Sequence, residues 1–241
     1  MLFEESTIEL ATPTGPMRTY VYRPVSPDRR PGLVFYSEIF QRTGPIHRSA
    51  AIMAGHGFTV YVPEIFHELL PAGTVLAYDK AGTDTGNAHK IGKTIEAYDA
   101  DSRAVIDHLL SRDDSNGAVH AMGVCIGGHL AFRCALDTRV RSTACFYATD
   151  LHKASLGKGG DDSLSRAGDI RGELMMTWGR QDPHVDDAGR AKVLAALTEK
   201  KVRFTWHEWN AQHAFMRDEG ARYDAALALT SYRLAVELFS R

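Results

Sequence analysis

Short apolar runs rich in β-branched and aromatic residues alternate along the chain with longer stretches in which apolar residues return every three or four positions. Strands and helices in turn are the expectation, giving an α/β class with a mostly parallel central sheet and helices on both faces. MRTYVYRP predicts a strand over 17–24, PGLVFYSEIF a buried one at about 33–37, and FTVYVPEIF one ending at Pro63. A helix is expected from near Pro45 to Ala54, closed by Gly55 and Gly57. In KTIEAYDADSRAVIDHLLSR, apolar residues at 95, 98, 105, 106, 109 and 110 line one side of a helix that ends before the Asn116-Gly117 turn. AVHAMGVCIGGHLAFRCAL, residues 118–136, reads as a buried strand running straight into a helix. STACFYAT, GELMMTWGRQD and VRFTWHEWN supply three further strands. DDAGRAKVLAALTEK and ARYDAALALTSYRLAVELFSR supply two further helices. Residues 66–92 and 149–170 are longer than ordinary connections, and both are expected as irregular segments over the active site.

Length and charge narrow the function. The 241 residues suit a single α/β domain over 1–241 with a well-buried core. Basic and acidic side chains number 28 and 30 and are spread along the chain, so no basic footprint invites nucleic acid or an anionic membrane. The expected partner is a small molecule, and the expected state a monomer or small homo-oligomer. The N-terminal segment MLFEESTIELATPTG has acidic residues where a signal peptide needs a basic start, and no later run would span a bilayer, so a cytoplasmic address is expected. Cys125, Cys134 and Cys145 are odd in number and show no C-x-x-C pairing, which argues against a disulfide framework and a thiolate zinc site. The 11 histidines form no H-E-x-x-H or comparable cluster, so neither a metal nor another cofactor is expected.

Gly123-Val124-Cys125-Ile126-Gly127 has the spacing of a strand-to-helix elbow, in which flanking glycines relieve crowding around a strained nucleophile. The turn lifts the central side chain off the sheet. It also sets the Ile126 N–H at a helix N-terminus, where unpaired donors favour negative charge on a sulfur or an oxyanion. A buried structural cysteine is the other reading of these five residues. An elbow nucleophile needs an acid and then a histidine downstream. Asp182 in GRQDPHV and His213 in NAQHAF come in that order, each in a loop after a predicted strand. Asp186 and Asp187 read as first-turn helix acids, and His184 as a plain loop histidine.

Taken together, SEIFQRTGPIHR, GVCIGG, GRQDPHV and AQHAFMRDEG resemble the dienelactone hydrolase family of α/β-hydrolases, a likeness that runs from about Ser37 to the C-terminus. The resemblance implies an α/β-hydrolase fold and cleavage of an ester or lactone through an acyl-enzyme. It implies Cys125 as nucleophile, His213 as base, Asp182 as its orienting acid, and Glu38 as an extra carboxylate that contacts the thiol and takes its proton. Ile39 would give a second oxyanion N–H beside that of Ile126. Arg217 would bind a substrate carboxylate, so that the substrate is anionic, and its other reading is an exposed arginine at a helix start. The family's second anion-binding arginine would fall within 78–98, which contains none. Lys80, His89 or Lys90 stand nearest in kind. Tyr147 is expected to reach the pocket from a strand end, with a core tyrosine as the alternative. Ser37 before Glu38 and Val124 before Cys125 depart from familiar members, which puts dienelactone itself in question as substrate. Other readings of the same chain are a carboxylesterase or thioesterase for a different small acyl group, a redox-sensing thiol protein, and a non-catalytic binding module.

Overall fold

The computed structural model describes all 241 residues. One eight-stranded sheet runs in the order β1-β2-β4-β3-β5-β6-β7-β8. Its strands are β1 (Phe3–Thr12), β2 (Gly15–Pro24), β3 (Arg30–Tyr36), β4 (Thr59–Pro63), β5 (Ser115–Val124), β6 (Val140–Phe146), β7 (Glu173–Gly179) and β8 (Phe204–Trp209). The β1-β2 and β2-β4 pairs are antiparallel, and every pairing from β4 through β3 to β8 is parallel.

Side-chain alternation along the central strands feeds two apolar layers. Val34 and Tyr36 of β3 point to one face while Leu33 and Phe35 point to the other. In β5, Val119 and Ala121 join the first layer, and Met122 and Val124 the second. The first layer is closed by α3 (Ile95–Ser111), α4 (Ile126–Cys134) and α5 (Asp187–Glu199), and the second by α1 (Gly44–Gly55) and α6 (Ala225–Phe239). Side chains start several helices: Thr94 accepts from the Ala97 N–H, Asp186 from Gly189 and Asp224 from Leu227. No helix is long and apolar enough to cross a membrane.

Two elements differ from the sequence expectation. β1 was not foreseen, because its residues are largely exposed and only Ile8 and Leu10 mark an inward side. Within 66–92, where irregular chain was expected, a helix α2 (Lys80–Gly92) forms. Gly82, Asp84, Gly86 and Asn87 are weak helix formers. The helix is held by its Asp79 cap on the Gly82 N–H, and at its far end by Lys93. The Lys93 ammonium is fully buried, 2.6 Å from Glu68 Oε2 and 2.5 Å from Asp101 Oδ2. Residues 149–170 contain only two short 3-10 turns, at Leu151–Lys153 and Ala167–Asp169, as expected of an irregular segment.

Parallel pairing sends the chain out of β3, β5, β7 and β8 at one rim of the sheet. Glu38, Cys125, Asp182 and His213 follow those four strands in that order, so the topology alone brings them to the same edge.

Candidate active site

Cys125 links β5 to α4 with φ 59° and ψ −125°, a left-handed conformation that costs energy for any residue with a side chain. The packing around it explains why glycines flank it. A Cβ on Gly123 would lie 1.9 Å from Gly127 O, and one on Gly127 2.2 Å from Tyr36 O. The strained turn is held by a bond from the Cys125 N–H to Phe146 O (3.1 Å) and by the Thr149 N–H donating to Cys125 O (3.3 Å). Cys125 is half-buried, whereas Cys134 and Cys145 are in the core. Burial pushes both core thiols up, Cys134 to about 12.

Across the rim, His213 donates from Nδ1 to Asp182 Oδ2 at 2.7 Å. The other oxygen, Asp182 Oδ1, accepts from the His184 N–H at 2.8 Å, so the carboxylate is fixed on both sides. Asp182 is buried, and the imidazole is its ion-pair partner. Burial alone would push His213 down, but the Cys125 sulfur and Asp182 outweigh it and raise it to about 10. An imidazole poised in this way stabilises a negative sulfur and can carry a proton to or from it.

Glu38 is fully buried at the end of β3, and burial raises its pKa against the opposing effects of Arg217, Tyr78 and His213. Its hydrogen bond goes to Tyr78, whose hydroxyl donates to Glu38 Oε2 at 3.0 Å, and not to the thiol. Arg217 Nη1 lies 3.9 Å from Glu38 Oε1, and its guanidinium covers the Tyr78 ring at 4.3 Å. The expected contact between Glu38 and the thiol is therefore not made as a hydrogen bond in this arrangement, where Tyr78 is the donor to the carboxylate and Arg217 the nearby cation. Beside it, the Ile39 N–H donates to no acceptor within the protein. The Ile126 N–H opens α4, at the end where helices leave their donors free.

Glu38, Ile39, Cys125, His213 and Arg217 all line one cavity of about 610 Å³. Its walls come from the two long segments singled out in the sequence: Tyr78, Lys80, Thr83, Asn87 and Lys90 on one side, Thr149, Asp150 and Lys153 on the other. Lys90 reaches the cavity, but its ammonium is 2.8 Å from Asp150 Oδ2, so its charge is already matched. Tyr147 departs from its expected role. Its ring is buried edge-on against His213 and Phe215, each at 5.1 Å between centroids, and it backs the histidine where substrate contact was expected. His184, read from sequence as a plain loop residue, lines the cavity with its ring 4.6 Å from that of His213. Burial, then the His213 charge, lower its pKa.

Ligand atoms of Asp182, His184 and His213 gather within 4.8 Å, but Asp182 already takes the His213 Nδ1 proton. A second gathering, His67 with Glu68 and Asp101, has the Lys93 ammonium between its carboxylates, where a cation would otherwise sit.

The sequence profile of the Dienelactone hydrolase family matches residues 17–241. The chain belongs to the dienelactone hydrolase family. As such it is a hydrolase of the ester and lactone class on an α/β-hydrolase fold. A Saccharomyces cerevisiae relative named "Putative carboxymethylenebutenolidase" is 39% identical over 254 residues, covering 100% of this chain and 93% of its own. Carboxymethylenebutenolidase 1 of Cupriavidus pinatubonensis is 25% identical, covering 94% of this chain and 92% of its own. Among solved structures, a "Putative Dienelactone Hydrolase" of Klebsiella pneumoniae superposes with a TM-score of 0.87 at 17% identity, with 100% of both chains covered. A dienelactone hydrolase-like promiscuous phosphotriesterase from metagenomic libraries superposes at 0.79 and 20% identity, covering 100% of this chain and 98% of its own. Both superpositions speak for the fold.

Proposed function

We propose that this dienelactone hydrolase family member cleaves small anionic esters or lactones through a Cys125-His213-Asp182 triad and an acyl-enzyme. The observation that carries the reading is His213, fixed by Asp182 at 2.7 Å and sharing one cavity with the Cys125 elbow and an unpaired Ile39 N–H. The Cys125 thiolate attacks the carbonyl carbon, and the N–H groups of Ile39 and Ile126 receive the oxyanion. Collapse breaks the carbon–oxygen bond, and the leaving oxygen takes the proton from His213. In a lactone that oxygen stays tethered to the acyl group.

Acylation removes the negative charge from sulfur, and with it a main cause of the high His213 pKa. The neutral imidazole then takes a proton from water, which attacks the thioester and expels Cys125 as thiolate. Glu38, raised by burial and adjacent to both Arg217 and the triad, is the reserve acceptor for the thiol proton. A substrate anion at Arg217 competes with Glu38 for the guanidinium and frees the carboxylate to turn. Relatives bearing the name carboxymethylenebutenolidase support an unsaturated lactone with a carboxylate as the first substrate to test.

A redox-sensing role is disfavoured by the two remaining cysteines, both buried and with raised pKa values, which offers no ready resolving thiolate. The test is intact-mass analysis after incubation with an activated aryl ester. An acyl adduct should accumulate on His213→Ala and be absent from Cys125→Ala, while native protein turns the ester over. Native protein that neither acylates nor releases product from any ester or lactone would reject the proposal.

A further inference from the structure

Along α2, Lys80, Thr83, Asn87 and Lys90 are spaced three or four apart and form the cavity wall. Gly86, buried in the middle of the same helix, lies at the edge of that face, against Ile39. A glycine there weakens a helix, so its presence asks for a reason. A Cβ on Gly86 would come 2.7 Å from Ile39 O and 2.8 Å from Ile39 Cβ, contacts that folded proteins do not make. The helix backbone thus rests directly on the peptide of Ile39.

That residue sits in a tight turn braced on several sides. The Gln41 N–H donates to Glu38 O at 3.0 Å, with Gln41 at φ 64°. The buried Gln41 side chain donates from Nε2 to Thr74 O at 2.9 Å and accepts from the Phe66 N–H at 3.3 Å. The Leu76 N–H donates to Phe40 O at 3.1 Å. The first of these closes the turn on itself, the other three run to the chain leading into α2, and Gly86 presses from the helix itself. Within this frame the Ile39 N–H is left without a protein acceptor.

We propose that Gly86 is a positioning residue for the oxyanion: by letting α2 seat on Ile39, it sets the direction and reach of the Ile39 N–H toward the substrate carbonyl. The inference rests on the reading of Ile39 as an oxyanion donor to a Cys125 adduct. A donor displaced by a few tenths of an ångström loses charge stabilisation in the transition state and little in the ground state. The signature therefore falls mainly on the chemical step, and alanine, the better helix former, keeps α2 helical while its seat on Ile39 shifts.

The experiment compares native protein with Gly86→Ala. Turnover of an aryl ester should fall roughly 10- to 100-fold in kcat, with KM changed less than about threefold. Affinity for an aryl trifluoromethyl ketone, which adds to the thiolate and develops an oxyanion, should fall by the same factor as kcat/KM. Alkylation of Cys125 by iodoacetamide, which forms no oxyanion, should keep its native rate. Gln41→Ala loosens the same turn from the opposite side without adding an atom, and should give the same split if Gly86→Ala does not fold. Native kcat in a folded variant overturns the proposal, as does an equal fall in alkylation rate, which would place the effect on the thiol. Should native protein take up neither ester nor ketone on Cys125, it is the cysteine-hydrolase reading that fails, and this inference with it.

Discussion

The Tyr78 hydroxyl donates to Glu38 Oε2 at 3.0 Å, and its own oxygen lies 2.7 Å from Thr43 Oγ1. The phenol ring is held between Phe40, edge-on at 4.7 Å, and the Arg217 guanidinium at 4.3 Å. A buried carboxylate is thus held by a side chain from the chain leading into α2, whose hydrogen bond favours its ionised form against burial.

Removing that donor has a definite sign. The Tyr78 hydrogen bond lowers the Glu38 pKa against burial, so Tyr78→Phe raises it and leaves less ionised Glu38 at acid pH. With Glu38 acting as a proton acceptor, the acid limb of kcat/KM moves to higher pH. On the acid side of the profile activity should drop by up to roughly tenfold, about the worth of a hydrogen bond to a charged group, while the plateau above it stays native. A pH profile that superimposes on the native one would show Glu38 to be a bystander.

Arg217 and Lys90 should prove unequal. Lys90 is neutralised by Asp150, whereas Arg217 faces the cavity with Glu38 as its only carboxylate, at 3.9 Å. Arg217→Ala should raise KM for a carboxylate-bearing ester by roughly 10- to 100-fold, the range of a charge-assisted bond. The matched neutral ester should change far less. Lys90→Ala should leave the preference for anionic substrate close to native. Equal losses in both variants, measured over the same ester pair, would place the anion site between them.

Acylation and deacylation should follow different pH curves. With sulfur charged, His213 holds its proton up to about pH 10, so acylation loses its proton donor only above that point. In the thioester the sulfur is neutral, and the His213 pKa drops. Hydrolysis of the acyl-enzyme, which needs the free base, should then rise at lower pH than the limb that ends acylation. Stopped-flow bursts across pH separate the two steps, and coincident curves would count against the thiolate-imidazolium pair.

His120 makes a prediction for stability. It is buried in β5 between Phe58 and Phe239 with Nδ1 2.7 Å from Ser142 Oγ, and burial, then Arg141, lower its pKa to about 4. The unfolded chain takes up that proton at higher pH than the folded one. The stability contribution is therefore complete above about pH 6.5 and is lost as pH falls toward 4, by about 3 kcal/mol. Urea unfolding of native protein and His120→Gln at pH 7.5, 6 and 5 should show a shallower slope in the variant. The slope that remains combines His108, His152, His184 and His207, which burial also lowers, with the opposite contribution of His213, whose pKa is raised.

The elbow was legible because its chemistry is local: glycines two residues either side of a cysteine state the close approach that 1.9 and 2.2 Å contacts impose. Asp182 and His213 were legible because each follows a strand whose direction the α/β pattern fixes. α2 was not, since its glycines argue against a helix until Ile39 and the buried Lys93 pairs are present to hold it. β1 escaped for a related reason, as an outer strand with little to bury carries little period. Tyr78 had no local signal at all. A tyrosine 40 residues from its carboxylate is paired only by the fold. The same holds for Tyr147, where sequence gave the strand end but not the direction of the ring.

Lys93 clamps the far end of the α2 wall of the cavity from inside the protein, with no exposure of its ammonium. Dissolved ions weaken attractions that they can reach, such as the rim pair between Arg48 and Asp218. They cannot come between Lys93 and its two carboxylates. Concentrated salt should therefore strip the surface ion pairs of this enzyme while the anchor of its α2 wall holds.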